Sequence, residues 1–290
     1  MGDNECSLLE HGRGNVDSTT QILTIVIFFL TLVVTIAVTQ FVRRRRGLYT
    51  LRDIAAFQRL PSMIGEAIES NRPVHVSLGN AALGGESTLV ALANAELMYQ
   101  VARRAVIGTA APIFTVGDSS ALPLAQDTLR RAYASRGIVS SAPYTSARWY
   151  PGGGHALALA AALTATLADD KVGANILGGS FGTELALVGY AAARRNQSII
   201  ATSNLLEGQA VAWVMSDEAL IGEEVFTAGA YLGESSSQIG GVVTQDVLRL
   251  LLILVIFIPT VITLGNTFLN GRFGAAIGRV IFFFQHLGGG

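Results

Sequence analysis

At 290 residues with 20 basic and 21 acidic side chains, the chain has a formal net charge of −1, which excludes the electrostatic footprint of a nucleic-acid binder. A mean hydropathy of +0.46 with 14% charged residues is too apolar for an ordinary soluble protein, and two membrane segments around one soluble domain would account for it. The single cysteine, Cys6, excludes an internal disulfide, and the four histidines, His11, His75, His155 and His286, are too scattered to suggest a zinc site, so neither metal nor cofactor is expected.

Residues 1–21 form a short polar tail with Asp3, Glu5, Glu10 and Asp17 against Arg13. Cys6 within it is either an incidental thiol or, if the tail lies outside, a link between two protomers. Ile22 to Val42 is a run of 21 residues without charge, long enough as a helix to cross a hydrocarbon core. Four arginines, Arg43 to Arg46, follow it. Guanidiniums stay in water and favour the cytoplasmic face, so the tail is expected outside an inner membrane and the main domain in the cytoplasm. A cleaved signal peptide fits poorly, because the charges follow the apolar run and the run is too long.

In the juxtamembrane segment, residues 43–72, Leu51, Ile54, Phe57, Leu60, Ile64 and Ile68 recur at helical spacing. Pro61 predicts a break into two short amphipathic helices, either lying on the bilayer or packed on the domain. The period then changes. Pro73 to Leu78 reads as a strand, Gly79, Gly84 and Gly85 as a turn, and Glu86 to Ala105 as an alanine-rich helix. The same unit returns at Ile113 to Val116, at Ala147 to Tyr150, at Val172 to Leu177, at Ser198 to Thr202 and at Ala219 to Ile221. Helices are expected after each, the last over Glu223 to Leu232. This alternation predicts an α/β fold over residues 73–245, a Rossmann-like, doubly wound, mostly parallel sheet flanked by two transmembrane helices. Asp246 to Leu269 is the second such helix, with Arg249 at its cytoplasmic entrance and Pro259 a tolerated kink. Residues 270–290 read as an interfacial tail on the outer side, although Arg272 and Arg279 leave a re-entrant segment open.

Ligands of a doubly wound sheet bind beyond the carboxyl ends of its strands, where glycine turns expose backbone N–H groups. The candidate ligand-binding residues are therefore Gly79, Gly84, Gly85, Glu86, Asp118, Gly179, Ser180, Gly182, Glu184 and Glu223. Glu86, Asp118, Glu184 and Glu223 either converge on a ligand or cation, or offset the dipoles of their own helices. Neither the G-x-G-x-x-G spacing nor a phosphate loop is present, since the only lysine, Lys171, precedes a strand. Gly178 to Gly182 fits G-x-S-x-G with Ser180 as a hydrolase nucleophile, but the only later histidine, His286, lies beyond the second membrane segment. No catalytic residue is assigned.

The segments LRDIAAFQRLPSMIGEAIESNRPVHVSLG, PIFTVGDSSALPLAQDTLRRAY, GSFGTE and LIGEEVFTAGAYLG make Leu51 to Arg249 resemble an uncharacterised prokaryotic family of membrane-anchored proteins, a domain of unknown function. The resemblance implies a bacterial or archaeal inner-membrane protein and brings no activity with it. The leading expectation is a non-enzymatic, self-associating cytoplasmic domain, a scaffold or structural subunit of a membrane assembly. Its partners would be the lipid bilayer, its own copies and other subunits of a membrane complex, with no nucleic acid. The alternatives are a small-ligand or nucleotide sensor using the glycine-rich turns and a serine hydrolase.

Overall fold

The computed structural model describes residues 18–44, 52–152, 156–233 and 236–268. The tails, Cys6, Arg45, Arg46 and His155 lie outside them. The described residues fall into two compact units, divided at 46/47 and 238/239, with the two ends of the chain in one unit and the segment between them in the other.

In the terminal unit, α1 (Ser18–Arg44) and the last helix, α9 (Ser236–Phe268), each contain a window apolar and long enough to cross a membrane, Thr24–Val42 and Gln238–Ile258. Only 6% of either window is buried against protein, so the apolar side chains face outward almost all round, which water does not tolerate. The apolar stretch of α9 begins ahead of Asp246, and the helix runs past position 259, so the proline does not end it. Where α1 meets α9 a glycine permits close approach: a Cβ on Gly240 would stand 3.1 Å from the Thr39 Cα. Thr244 is buried there and donates its hydroxyl to the Gly240 carbonyl at 2.7 Å.

The central unit opens with α2 (Ala55–Glu69), one continuous helix rather than the expected pair. Pro61 is exposed, so its ring and its missing N–H fall on the solvent side. The opposite face, Phe57, Leu60, Met63, Ile64 and Ala67, is buried in the domain core and holds the helix together across the proline. Burial of this face also decides its place: α2 packs on the domain.

Six strands follow: β1 (Val74–Gly79), β2 (Ile113–Val116), β3 (Ala147–Trp149), β4 (Ala174–Ser180), β5 (Ser198–Ser203) and β6 (Glu218–Ala219). All neighbours are parallel, in the order β3-β2-β1-β4-β5-β6. This is the doubly wound Rossmann order, in which the chain builds outward from β1, crosses back, and builds outward again from β4. The crossovers are α3 (Thr88–Ala105), α4 (Leu122–Ala134), α5 (Ala156–Asp169), α6 (Leu185–Ala193) and α7 (Leu206–Met215). After β6 a 3-10 turn, Gly222–Thr227, precedes the short α8 (Ala228–Gly233), where one helix over Glu223 to Leu232 was expected.

Strand side chains alternate between two cores. Val76, Phe114, Ile176 and Ile200 join α2, α3, α4 and α8, whereas Leu177, Ile199 and Ala201 join α5, α6 and α7. Because both faces are covered, the central strands are buried almost throughout and are mostly apolar.

A polar row crosses this apolar sheet. Thr115 Oγ1 lies 2.9 Å from His75 Nε2, His75 Nδ1 lies 3.2 Å from Asn175 Oδ1, Asn175 donates to Gln197 Oε1 at 3.2 Å, and Gln197 donates to the Leu167 carbonyl at 3.0 Å. Asn175 Oδ1 can only accept, so the proton of neutral His75 sits on Nδ1 and Nε2 accepts from Thr115. Burial pushes the His75 pKa down to about 4. At the sheet edge Arg148 forms a bidentate pair with Asp170 at 2.5 and 3.1 Å, and this hydrogen bonding holds the guanidinium pKa above its ordinary value.

Candidate functional site

The strand order reverses between β1 and β4, where a doubly wound sheet ordinarily opens a crevice. Here the two backbones meet instead. Gly79 ends β1 at φ +55°, and a Cβ on it would stand 2.4 Å from the Ser180 carbonyl oxygen. A Cβ on Gly179, at φ +152°, would stand 1.9 Å from the Leu78 carbonyl oxygen. Only glycine allows this approach. Asn80 N–H donates to the Ser180 carbonyl at 2.8 Å, and the buried Phe181 ring packs against Gly79.

Several of the turn amides beyond the strands are already taken by side chains. Thr88 Oγ1 accepts from Gly84 N–H at 2.9 Å and Gly85 N–H at 3.0 Å, and Ser87 and Ser120 hydroxyls accept from Ala82 and Leu83 N–H, each at 2.9 Å. Glu184 accepts from Gly182 N–H at 2.8 Å, and Asp118 accepts from Ser120 N–H at 2.8 Å. A phosphate at a helix N-terminus needs such donors uncommitted. Asp118 and Glu184 are thereby occupied in their own turns. Glu86 is exposed ahead of α3, and Glu223 sits in the 3-10 turn after β6. Among the described residues no three His, Cys, Asp or Glu side chains approach closely enough to hold a metal ion, so of the two readings of Glu86, Asp118, Glu184 and Glu223 the one in which they converge on a cation does not hold.

Ser180 is the last residue of β4, and its φ is not positive, unlike the tip of a strained nucleophile turn. His75 is engaged with Thr115 and Asn175 and does not orient it.

Open space lies one strand further along. A cavity of about 180 Å³ sits beyond β4 and β5, lined by Val90 and Asn94 of α3, Thr202 of β5, Gln209 of α7, and Val225 and Phe226 of the 3-10 turn. Gly179 is the one expected site residue on its wall. Asn94 is 1% exposed; its amide nitrogen donates to the Val90 carbonyl at 2.9 Å, and its Oδ1 has no hydrogen-bond partner. Thr202 is 2% exposed, and its hydroxyl has none either. A buried polar group without a partner destabilises a fold by about 1–3 kcal/mol, and both oxygens are closed off from the open space of the cavity. Gly178 makes room for the first: a Cβ there would stand 2.3 Å from Asn94 Oδ1. Asn94 could have been singled out by period, since Ala91, Ala95, Met98 and Val101 place it on the apolar stripe of its helix.

The residue pattern that folds into this site matches the family described as Domain of unknown function (DUF6754) over residues 14–272. The chain belongs to that family. No curated protein and no solved structure matched it. For this member of the family, then, the chemistry of the rim is the guide to function.

A second surface stands out in the same unit. α5 packs on α6 and α6 on α7. Their outer sides expose Leu157, Leu187, Tyr190, Leu206, Trp213 and Val214, with Leu206 84% and Trp213 72% exposed. These helices are apolar on nearly every side, which ordinarily marks helices covered on both faces.

Proposed function

We propose that the chain is a membrane-anchored ligand-binding protein, a sensor whose α/β domain captures a small molecule in the cavity beyond β4 and β5. The observation that carries this reading is the cavity itself, about 180 Å³ at the carboxyl ends of β4 and β5, where polar Ser203, Asn204 and Gln209 line the same space as apolar Val90, Val225 and Phe226. The apolar windows in α1 and α9 support anchoring, and the arginines after Val42 support a cytoplasmic domain with the N-terminus outside an inner membrane. Detergent-extracted protein should gain thermal stability with at least one compound of a broad metabolite panel; no stabilisation by any compound would refute the reading. Protease added to sealed right-side-out cells should leave the domain intact, and digestion there would refute the orientation.

The apolar face of α5, α6 and α7 favours a second reading, self-association of the domain as part of a membrane assembly. Its occupant would be another copy: anchoring in one bilayer concentrates identical faces, and six exposed large side chains approach the roughly 800 Å² per partner of a standard interface. Mass photometry should show multiples of the 30.5 kDa chain that Leu187→Glu and Trp213→Glu together reduce to monomer. Only monomers in the unsubstituted protein would refute it.

A further inference from the structure

Crossover helices of a parallel sheet run back to the amino ends of the strands, and two of them end in arginines. Residues 101–112 and 129–146, the last turns of α3 and α4 with the loops that follow, contain Arg103, Arg104, Arg130, Arg131 and Arg136 and no acidic side chain. The two helix ends form one surface. Arg136 donates to the Arg103 carbonyl at 3.3 and 3.2 Å, and the Arg131 guanidinium lies 5.4 Å from the centre of the Tyr99 ring on α3. Arg130 and Arg131 share the Asp127 carboxylate at 2.8 and 3.4 Å. Arg104 donates to the Gln100 and Leu232 carbonyls at 3.1 and 3.0 Å, the second just ahead of α9. Carbonyl acceptors leave a guanidinium its charge, so five arginines face one carboxylate. Beside this surface, where Ile68 of α2 closes on Gly108, the exposed Glu66 and Glu69 are matched by exposed Arg59 and Arg72, and the excess remains.

Arginines in a last helical turn offset the helix dipole, but that role asks for no exposed apolar side chains beside them. Here there are four: Ile107, Ile138, Val139 and Tyr144, with Ile107 65% and Tyr144 82% exposed. Ile107 follows α3 directly, and Ile138 N–H donates to the Tyr133 carbonyl of α4 at 3.2 Å. Val139 and Tyr144 line a shallow groove together with Arg130. Apolar tips set among guanidiniums suit a bilayer interface: the tips enter the boundary between headgroups and acyl chains, a tyrosine sits at headgroup depth, and the cations meet lipid phosphates. The apolar windows of α1 and α9, one on each side of this domain in the chain, would keep such a surface at high effective concentration.

We propose that the surface at the ends of α3 and α4 docks on anionic lipid headgroups and holds the α/β domain against the bilayer. This goes beyond ligand capture and rests only on the anchoring part of the reading above. The test is amide hydrogen exchange on the full chain, one copy per nanodisc, in phosphatidylcholine alone and in phosphatidylcholine with about one-third phosphatidylglycerol. Exchange over residues 103–110 and 135–146 should be about fivefold slower in the anionic discs, with α5 and α6 unchanged, and the difference should vanish in about 1 M salt, where the Debye length is about 3 Å. Arg103→Gln with Arg136→Gln should abolish the protection. So should Ile107→Ser with Ile138→Ser, which alters two exposed side chains and leaves every arginine in place. Equal exchange in the two lipids would overturn the proposal, as would protection that survives either pair of substitutions. Protection in phosphatidylcholine that requires two chains per disc would assign the surface to a second copy and overturn it too. A chain that fails to enter discs at all would refute the anchoring, and the docking with it; an inserted chain without lipid-dependent protection would refute the docking alone.

Discussion

Acidification from about pH 7.5 to about pH 5 should weaken the α/β domain through His75 by about 2 kcal/mol. Burial lowers its folded pKa to about 4 from an ordinary 6.5. The depressed value means that the folded state keeps the imidazole neutral while the unfolded chain takes up a proton, so stability is full above the unfolded pKa and falls as pH drops between 6.5 and about 4. With about 1.4 kcal/mol per pH unit of unmatched protonation, the loss is about 2 kcal/mol at pH 5 and levels off near 3 kcal/mol below pH 4. Urea unfolding of detergent-solubilised protein, followed by tryptophan fluorescence, reports this domain alone, because the two tryptophans, Trp149 and Trp213, both lie in it. His75→Gln should be less stable than the unsubstituted chain at neutral pH, because the row loses its fit, but the difference should shrink by about 2 kcal/mol at pH 5. An undiminished difference would mean that His75 is not held neutral and that the oriented row from Thr115 to Leu167 is wrong.

Other substitutions test the packing. Gly179→Ala should prevent folding or lower stability by more than about 3 kcal/mol, since its Cβ would collide with the Leu78 backbone, whereas Gly84→Ala, with positive φ but no atom within 4 Å, should lose only about 1–2 kcal/mol; equal losses in urea titration would contradict the close approach of β1 and β4. Leu163→Ala empties a fully buried position in the α5 core and should reduce stability by about 2–5 kcal/mol by the same assay. Asp170→Asn breaks a pair with Arg148 that is about one-third exposed, so its effect should stay near or below about 1 kcal/mol and shrink in added salt.

The alternation of strand and helix was legible because parallel strands buried on both faces leave runs such as Ile113 to Val116 with nothing polar to interrupt them except Thr115. Pro61 misled for the opposite reason: the local rule is sound, but an exposed proline opposite six buried side chains is outweighed by the packing of α2. The glycine turns were legible as turns. What could not be read was that hydroxyls from Ser87, Thr88 and Ser120, up to 37 residues away in the chain, already take their amides. The cavity was hidden in the same way, since its walls come from three helical segments and the ends of two strands that are brought together only by the crossovers.

The row through His75 has a consequence for how this domain can change over generations. Parallel neighbours have no tight hairpin to set their offset, and a slip of one residue in β1 would swap His75 for Val74 or Val76, leaving Thr115 and Asn175 facing methyl groups. The amide and imidazole chain thus works as a key that admits a single alignment of the central strands. Replacing one tooth alone damages the lock, so positions 75, 115, 175 and 197 should be inherited together or exchanged together.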